Sequence, residues 1–173
     1  TECFELALDG ADDPFIAAQV LAAKGKAACV KDRYGEGDYA YVQAAVALGK
    51  SDIADGHPLV ASLAERHAFS LLYQWKVAEA EKLFDRAINV RSLLVEHDHS
   101  HMARLFLLHA RHGLAMTYRY RGQPADARSE FDKVLRDASL RDALGSGGEA
   151  AAEAATPLWR KQHSKERIRV KKQ

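Results

Sequence analysis

Two stretches of this 173-residue chain carry the same pattern, and a pattern written twice at long spacing restricts the fold more than any single motif could. The first runs from Asp55-Gly56-His57-Pro58 into Ala80-Glu81-Lys82-Leu83-Phe84-Asp85-Arg86-Ala87, and the second from Asp98-His99-Ser100-His101 into Ala127-Arg128-Ser129-Glu130-Phe131-Asp132-Lys133-Val134. His57 and His99 are 42 residues apart and Phe84 and Phe131 are 47 apart, so the second copy is longer by about five. Self-similarity at such a period implies stacked helical hairpins, each burying one face on its neighbours and offering another as a groove.

Composition agrees with helices throughout. Alanine is abundant, β-branched runs are almost absent, and Pro and Gly gather between periodic segments. The length suits one domain or three to four helix pairs. Cys3 and Cys29 have no paired spacing, which gives neither a disulfide framework nor a zinc knuckle and points to an intracellular, reducing compartment, cytoplasmic or an organellar matrix. The longest apolar runs, such as Ala44 to Gly49, are too short to span a bilayer, so a soluble chain is expected. A first residue of Thr1 in place of Met reads as a processed or excised product.

Along the chain, Phe4 to Leu8 reads as a short apolar turn, and Asp12 or Asp13 precedes Pro14 as a cap precedes the first helical position. The expected first pair is 14–33 and 38–48, divided by a turn at Tyr34-Gly35-Glu36-Gly37-Asp38, with Gly49 as a C-cap glycine. The second pair is 59–75 with 77–94, and the third is 101–121 with 124–144. Ala80, Phe84, Ala87, Ala127 and Phe131 are the expected buried contacts between helices. A repeat domain is thus expected over 1–144, a Gly/Ala-rich linker over 145–157 and a basic tail over 158–173.

The tail holds Arg160, Lys161, Lys165, Arg167, Arg169, Lys171 and Lys172 against Glu166 alone; with a net charge of +1 for the chain, the body carries −5. Such a tail suits acidic proteins, anionic surfaces or phosphate. With Trp159 as its one aromatic it lacks a stacking platform, so any contact with nucleic acid would be nonspecific.

Motifs for chemistry are sparse. His97, His99 and His101 alternate, which sets neighbours on opposite sides of a loop, and no carboxylate or thiolate set completes a metal shell. They read instead as an inter-repeat loop in which Asp98 or Ser100 caps the next helix. No serine sits in a Gly-rich elbow, and Gly145-Ser146-Gly147-Gly148 follows no strand and reads as a helix stop, not a phosphate loop. Neither catalytic residues, cofactor nor metal is expected, and the chain reads as no enzyme.

The third pair sets Leu114, Ala115, Tyr118, Gly122, Ala127, Phe131 and Val134 in one register, and the second sets Ala68, Leu71, Ala80, Phe84 and Ala87, with His67 and Trp75 as departures. This register resembles the tetratricopeptide repeat. The segment Ala80 to Arg91 and the linkers around His57 and His99 are similar to the long-linker repeats of kinesin light chains. The resemblance covers 59–140 well and 14–49 weakly. It implies an all-α, right-handed solenoid of three hairpins with a C-terminal extension, working as a protein interaction module.

In that family the first helices line a concave groove. The equivalent positions here are Ser62, Glu65, Phe69, Leu72 and Tyr73 in the second pair, with His109, His112, Met116, Arg119 and Tyr120 in the third. Aromatic residues with Arg are the composition of binding hot spots. The resemblance therefore implies a scaffold or adaptor that takes a partner peptide or helix. Two alternatives stay open: a structural accessory subunit of a large, organellar or ribonucleoprotein assembly, and the sensor domain of a longer signalling protein.

Overall fold

The structure, a computed structural model, describes residues 2–53, 55–98 and 100–136. The chain divides into two compact units, Thr1–Val134 and Leu135–Gln173. The expected linker 145–157, the basic tail 158–173 and the end of the last helix up to Leu144 lie outside the described residues, as does His99.

All regular structure among the described residues is helical: α1 (Glu2–Asp9), α2 (Pro14–Val30), α3 (Tyr34–Leu48), α4 (Pro58–Tyr73), α5 (Val77–His97), α6 (His101–Tyr120) and α7 (Pro124–Arg136). The stretch Phe4 to Leu8, expected as a turn, is thus inside a two-turn helix. Caps start the first helices. Asp13 accepts from Phe15 N at 2.8 Å, His57 Nδ1 from Leu59 N at 3.1 Å and Ser100 Oγ from Ala103 N at 3.2 Å. Each satisfies an amide with no partner inside its own helix.

Within the first unit, neighbours in sequence are neighbours in space. Helix α2 packs on α3, α3 on α4, α4 on α5 and α5 on α6, while the first helices α2, α4 and α6 also touch in succession. Arg111 Nη1 donates to Glu130 Oε2 at 3.0 Å and the rings of His112 and Phe131 lie 5.8 Å apart, so α7 lies against α6. This is the stacking of helical hairpins that a repeat requires.

The three hairpins turn by one device. Asp32, Trp75 and Gly122 adopt left-handed backbone, with φ of 58°, 63° and 73°. The amide that follows each donates five residues back: Arg33 to Ala28 at 3.0 Å, Lys76 to Leu71 at 3.0 Å and Gln123 to Tyr118 at 2.9 Å. This is the Schellman closure, and it satisfies carbonyls at the end of the first helix. Gly122 takes that conformation freely, whereas an L side chain such as that of Trp75 costs about 1 kcal/mol there. The Trp75 ring packs edge-on against Tyr120 in the next hairpin at 5.1 Å, a contact that offsets the cost.

Counted from these turn residues, positions five, nine and twelve hold Gly37, Tyr41 and Ala44, then Ala80, Phe84 and Ala87, then Ala127, Phe131 and Val134. The first hairpin therefore shares the register of the other two, at a spacing of 43 residues. The turn expected at 34–38 is corrected: it lies at 31–33, and Gly35 and Gly37 belong to the first turns of α3. Gly37 is a packing residue. A Cβ there would come within 2.5 Å of Cys29 Sγ and 3.2 Å of the Gly25 carbonyl, so only glycine lets α3 approach α2 this closely. Gly49 stands at the C-cap as expected but with φ −68°, in ordinary helical backbone.

Two clusters form the core. One gathers Ala18, Leu21, Tyr41, Ala44 and Leu48 with Val60 and Leu63, and the other gathers Ala68, Leu71, Ala80, Phe84 and Ala87 with Ala110 and Leu114. Ala80, Phe84, Ala87 and Ala127 are buried as expected, whereas Phe131 is half-buried. Phe84 is closed in by Gly113 of the following first helix, while among the described residues no first helix follows α7 to do the same for Phe131.

Candidate interaction face on the first helices

Of the ten candidate groove residues, Tyr73, His109 and Arg119 are exposed. Tyr73 ends α4 and stacks on Tyr34, with ring centroids 5.0 Å apart and planes 26° apart. Tyr34 opens α3, so this stack ties the first hairpin to the second as Trp75 and Tyr120 tie the second to the third. Arg119 ends α6 one residue before Tyr120, at the same position relative to its turn as Leu72 holds in α4.

The remaining candidates are committed to packing. Phe69 is half-buried, edge-on to Phe84 at 4.9 Å and tilted against the His109 ring at 5.3 Å. Met116 and Tyr120 pack against the same core cluster. Glu65 is 7% exposed and is held by Arg91 Nη2 at 3.5 Å and by His109 Nδ1. Its place is between α4, α5 and α6, where its carboxylate is spent inside the fold.

Arg91 was not among the candidates, yet it organises this region. Its Nη2 donates to Ser62 Oγ at 2.9 Å, its guanidinium lies 4.6 Å from the Phe106 ring centroid, and the residue is 5% exposed. Burial pulls its pKa down while Glu65 pushes it back up. Its place four residues after Ala87 and seven after Phe84 is on the buried face of α5, which was legible as spacing but masked by residue type. A second polar knot joins α3 to α4 and its following turn, where Asp38 accepts from His67 at 2.6 Å and from Lys76 at 2.8 Å.

His112 is half-buried against Phe131 of α7. Burial holds its imidazole below the ordinary range, and the charge of nearby His109 pushes the same way. With the folded value depressed, the unfolded chain takes the proton first, at about pH 6.5, and stability falls as pH drops below that point. His112→Gln should flatten the part of the melting-temperature profile between about pH 5 and 7 that this residue causes. Parallel profiles for variant and wild type would show that His112 is as solvated folded as unfolded.

Among the described residues, no group of three His, Cys, Asp or Glu is placed to hold a metal ion, and no helix is long and apolar enough to cross a membrane. His97 and His101 are exposed at the ends of α5 and α6, and Asp98 accepts from Ser100 N and Oγ at 3.1 and 2.8 Å, which builds the loop between them.

The sequence profile of the tetratricopeptide repeat matches residues 107–138. The fold is that of a tetratricopeptide-repeat protein. Among solved structures, the chain is similar to the crystal structure of a Podosopora anserina protein with nearly identical TPR-like repeats of the kinesin light chain kind. The match has a TM-score of 0.67 and 16% identity over 98% of this chain and 81% of that one. No curated protein matches in sequence. Tetratricopeptide repeats mediate association between proteins, and the turn residues, small-residue positions and buried rings described above are how this chain builds that fold.

Proposed function

We propose that this tetratricopeptide-repeat chain is a non-enzymatic scaffold or adaptor module that binds a peptide or helix of a partner protein across its first helices. The observation that carries this reading is the exposure of Tyr73, His109 and Arg119 on α4 and α6, above a layer of Phe69 and Met116 already fixed by the core. Tyr73, stacked on Tyr34, and His109, held by Glu65, stand preorganised, so little of their ordering entropy is lost on binding, and Tyr and Arg dominate measured hot spots. Cys3 and Cys29 stand as free thiols, which suits a reducing compartment.

A photo-crosslinking residue in place of Tyr73 should capture a partner that the same residue in place of Asp85, on the opposite side of the hairpin, does not. With the captured segment in hand, Tyr73→Ala and Arg119→Ala should each weaken binding by about 1 to 2 kcal/mol, Arg119→Ala with the melting temperature in place and Tyr73→Ala with a small drop from the lost stack on Tyr34. Equal capture at both positions, or unchanged affinity in both variants, would move the binding face elsewhere.

A further inference from the structure

Counted from the left-handed turn residues, positions seven, ten and fourteen of each second helix point away from the hairpin. They are Lys82, Asp85 and Asn89 in α5 and Ser129, Asp132 and Arg136 in α7. In α3 the same positions hold Tyr39, Val42 and Val46, which are 67%, 46% and 57% exposed. Single exposed apolar residues are ordinary, but three in one stripe, at a site kept polar in the other hairpins, mark a contact surface.

The stripe has a definite form. Gly35, Tyr39, Val42, Val46 and Gly49 follow one another in steps of four and three, the spacing of a heptad seam, which fits a second helix crossing at about 20°. A Cβ on Gly35 would meet nothing within 4 Å, and one on Gly49 would meet only its own helix carbonyls, Ala45 at 3.5 Å and Val46 at 3.6 Å. Among the described residues both ends of the seam are open.

The geometry points to a second copy of this chain as the occupant, its α3 lying antiparallel on α3 about a twofold axis. In that register Tyr39 of each copy covers Gly49 of the other, and Val42 meets Val46 of the other, so each ring faces a position without a side chain. A twofold contact needs a self-complementary patch, and this seam is one. At one edge Gln43 meets Gln43 across the axis, and Glu36 meets Lys50 of the second copy on both sides. Glu36 is 61% exposed in its side chain and keeps Arg33 at 2.9 Å, which leaves a carboxylate face for that lysine.

At the other edge Ala45 meets Ala45, and the carboxylate of Asp38 is already held by Lys76 and His67. A parallel pair would set Tyr39 against Tyr39 and Glu36 against Glu36, and would align the two helix dipoles unfavourably. The antiparallel pair avoids all three.

One helix pair is small for an interface, so the dimer is concentration-dependent, with a Kd of about 10 to 100 μM. Sedimentation equilibrium of the full chain from about 1 to 300 μM should show the weight-average mass rising from monomer towards dimer. Val42→Glu should stay monomeric over that range with an unchanged circular-dichroism melt. Glu36→Lys and Lys50→Glu should each raise the Kd roughly fivefold, and the two together should return it to within about twofold of wild type, because the swapped charges meet again across the axis. A wild-type chain monomeric throughout would overturn the proposal, and so would a Val42→Glu chain that still dimerises. A double swap no better than the single ones would overturn it too.

Discussion

Phe84→Ala is expected to destabilise the first unit by about 3 to 5 kcal/mol, seen as a lower urea midpoint with little change in slope. Phe84 is fully buried, and the adjoining Ala80 and Ala87 are buried as completely. Neither alanine can reach into the space the ring would vacate, and Phe69 already meets the ring edge-on at 4.9 Å. The wall opposite is backbone: a Cβ on Gly113 would lie 2.2 Å from Phe84 Cε1, so α6 already rests on the ring. Cavities that cannot collapse lie at the upper end of the range for large-to-small changes. Phe131→Ala, at the same repeat position but half-buried, should lose clearly less. Equal losses at the two positions, or an unchanged midpoint for Phe84→Ala, would dissolve the distinction between an enclosed repeat ring and a terminal one.

The same repeat position is not equally legible in the three hairpins. The second and third hairpins announced themselves because Ala, Phe and Ala or Val stand at fixed spacing in both. The first hairpin uses Gly37, Tyr41 and Ala44 at those positions, with Gly25 where the others have Ala68 and Ala115. A Cβ on Gly25 would lie 2.8 Å from Tyr41 Cε1, so the glycine makes room for a larger ring. The pair of compensating changes preserves the packing and erases the pattern. Glycines in sequence suggest turns, and here that displaced the expected turn by several residues, because Asp32 and not Gly35 takes the left-handed backbone. The candidate face was legible as a register, but a register places a residue on a side of a helix and is silent on what covers that side. Only the neighbouring hairpin separates exposed Tyr73 and Arg119 from buried Glu65.

Glu65 carries the second large expected effect. Its carboxylate and the Arg91 guanidinium are 9% and 6% exposed, so two opposite charges face each other with little water to screen them. Glu65→Ala would leave Arg91 buried, still donating to Ser62 and resting on Phe106, but without its counter-charge. Removing one partner of a buried pair costs about 3 to 5 kcal/mol, because the remaining ion keeps its desolvation and loses its compensation. The arginine cannot escape by losing its proton at neutral pH, even with its pKa pulled down by burial. Replacing both residues is a different experiment. Glu65→Leu with Arg91→Leu removes the desolvation of both ions and adds apolar packing beside Phe106, so the double variant should lie within about 1 kcal/mol of wild type or above it. Urea titrations of Glu65→Leu, Arg91→Leu and the double variant close the cycle, and a coupling energy of several kcal/mol is the expected result. A Glu65→Ala chain within about 0.5 kcal/mol of wild type would mean that Arg91 reaches solvent when its partner is gone, and that the contact between α4 and α5 is looser than the 3.5 Å ion pair implies.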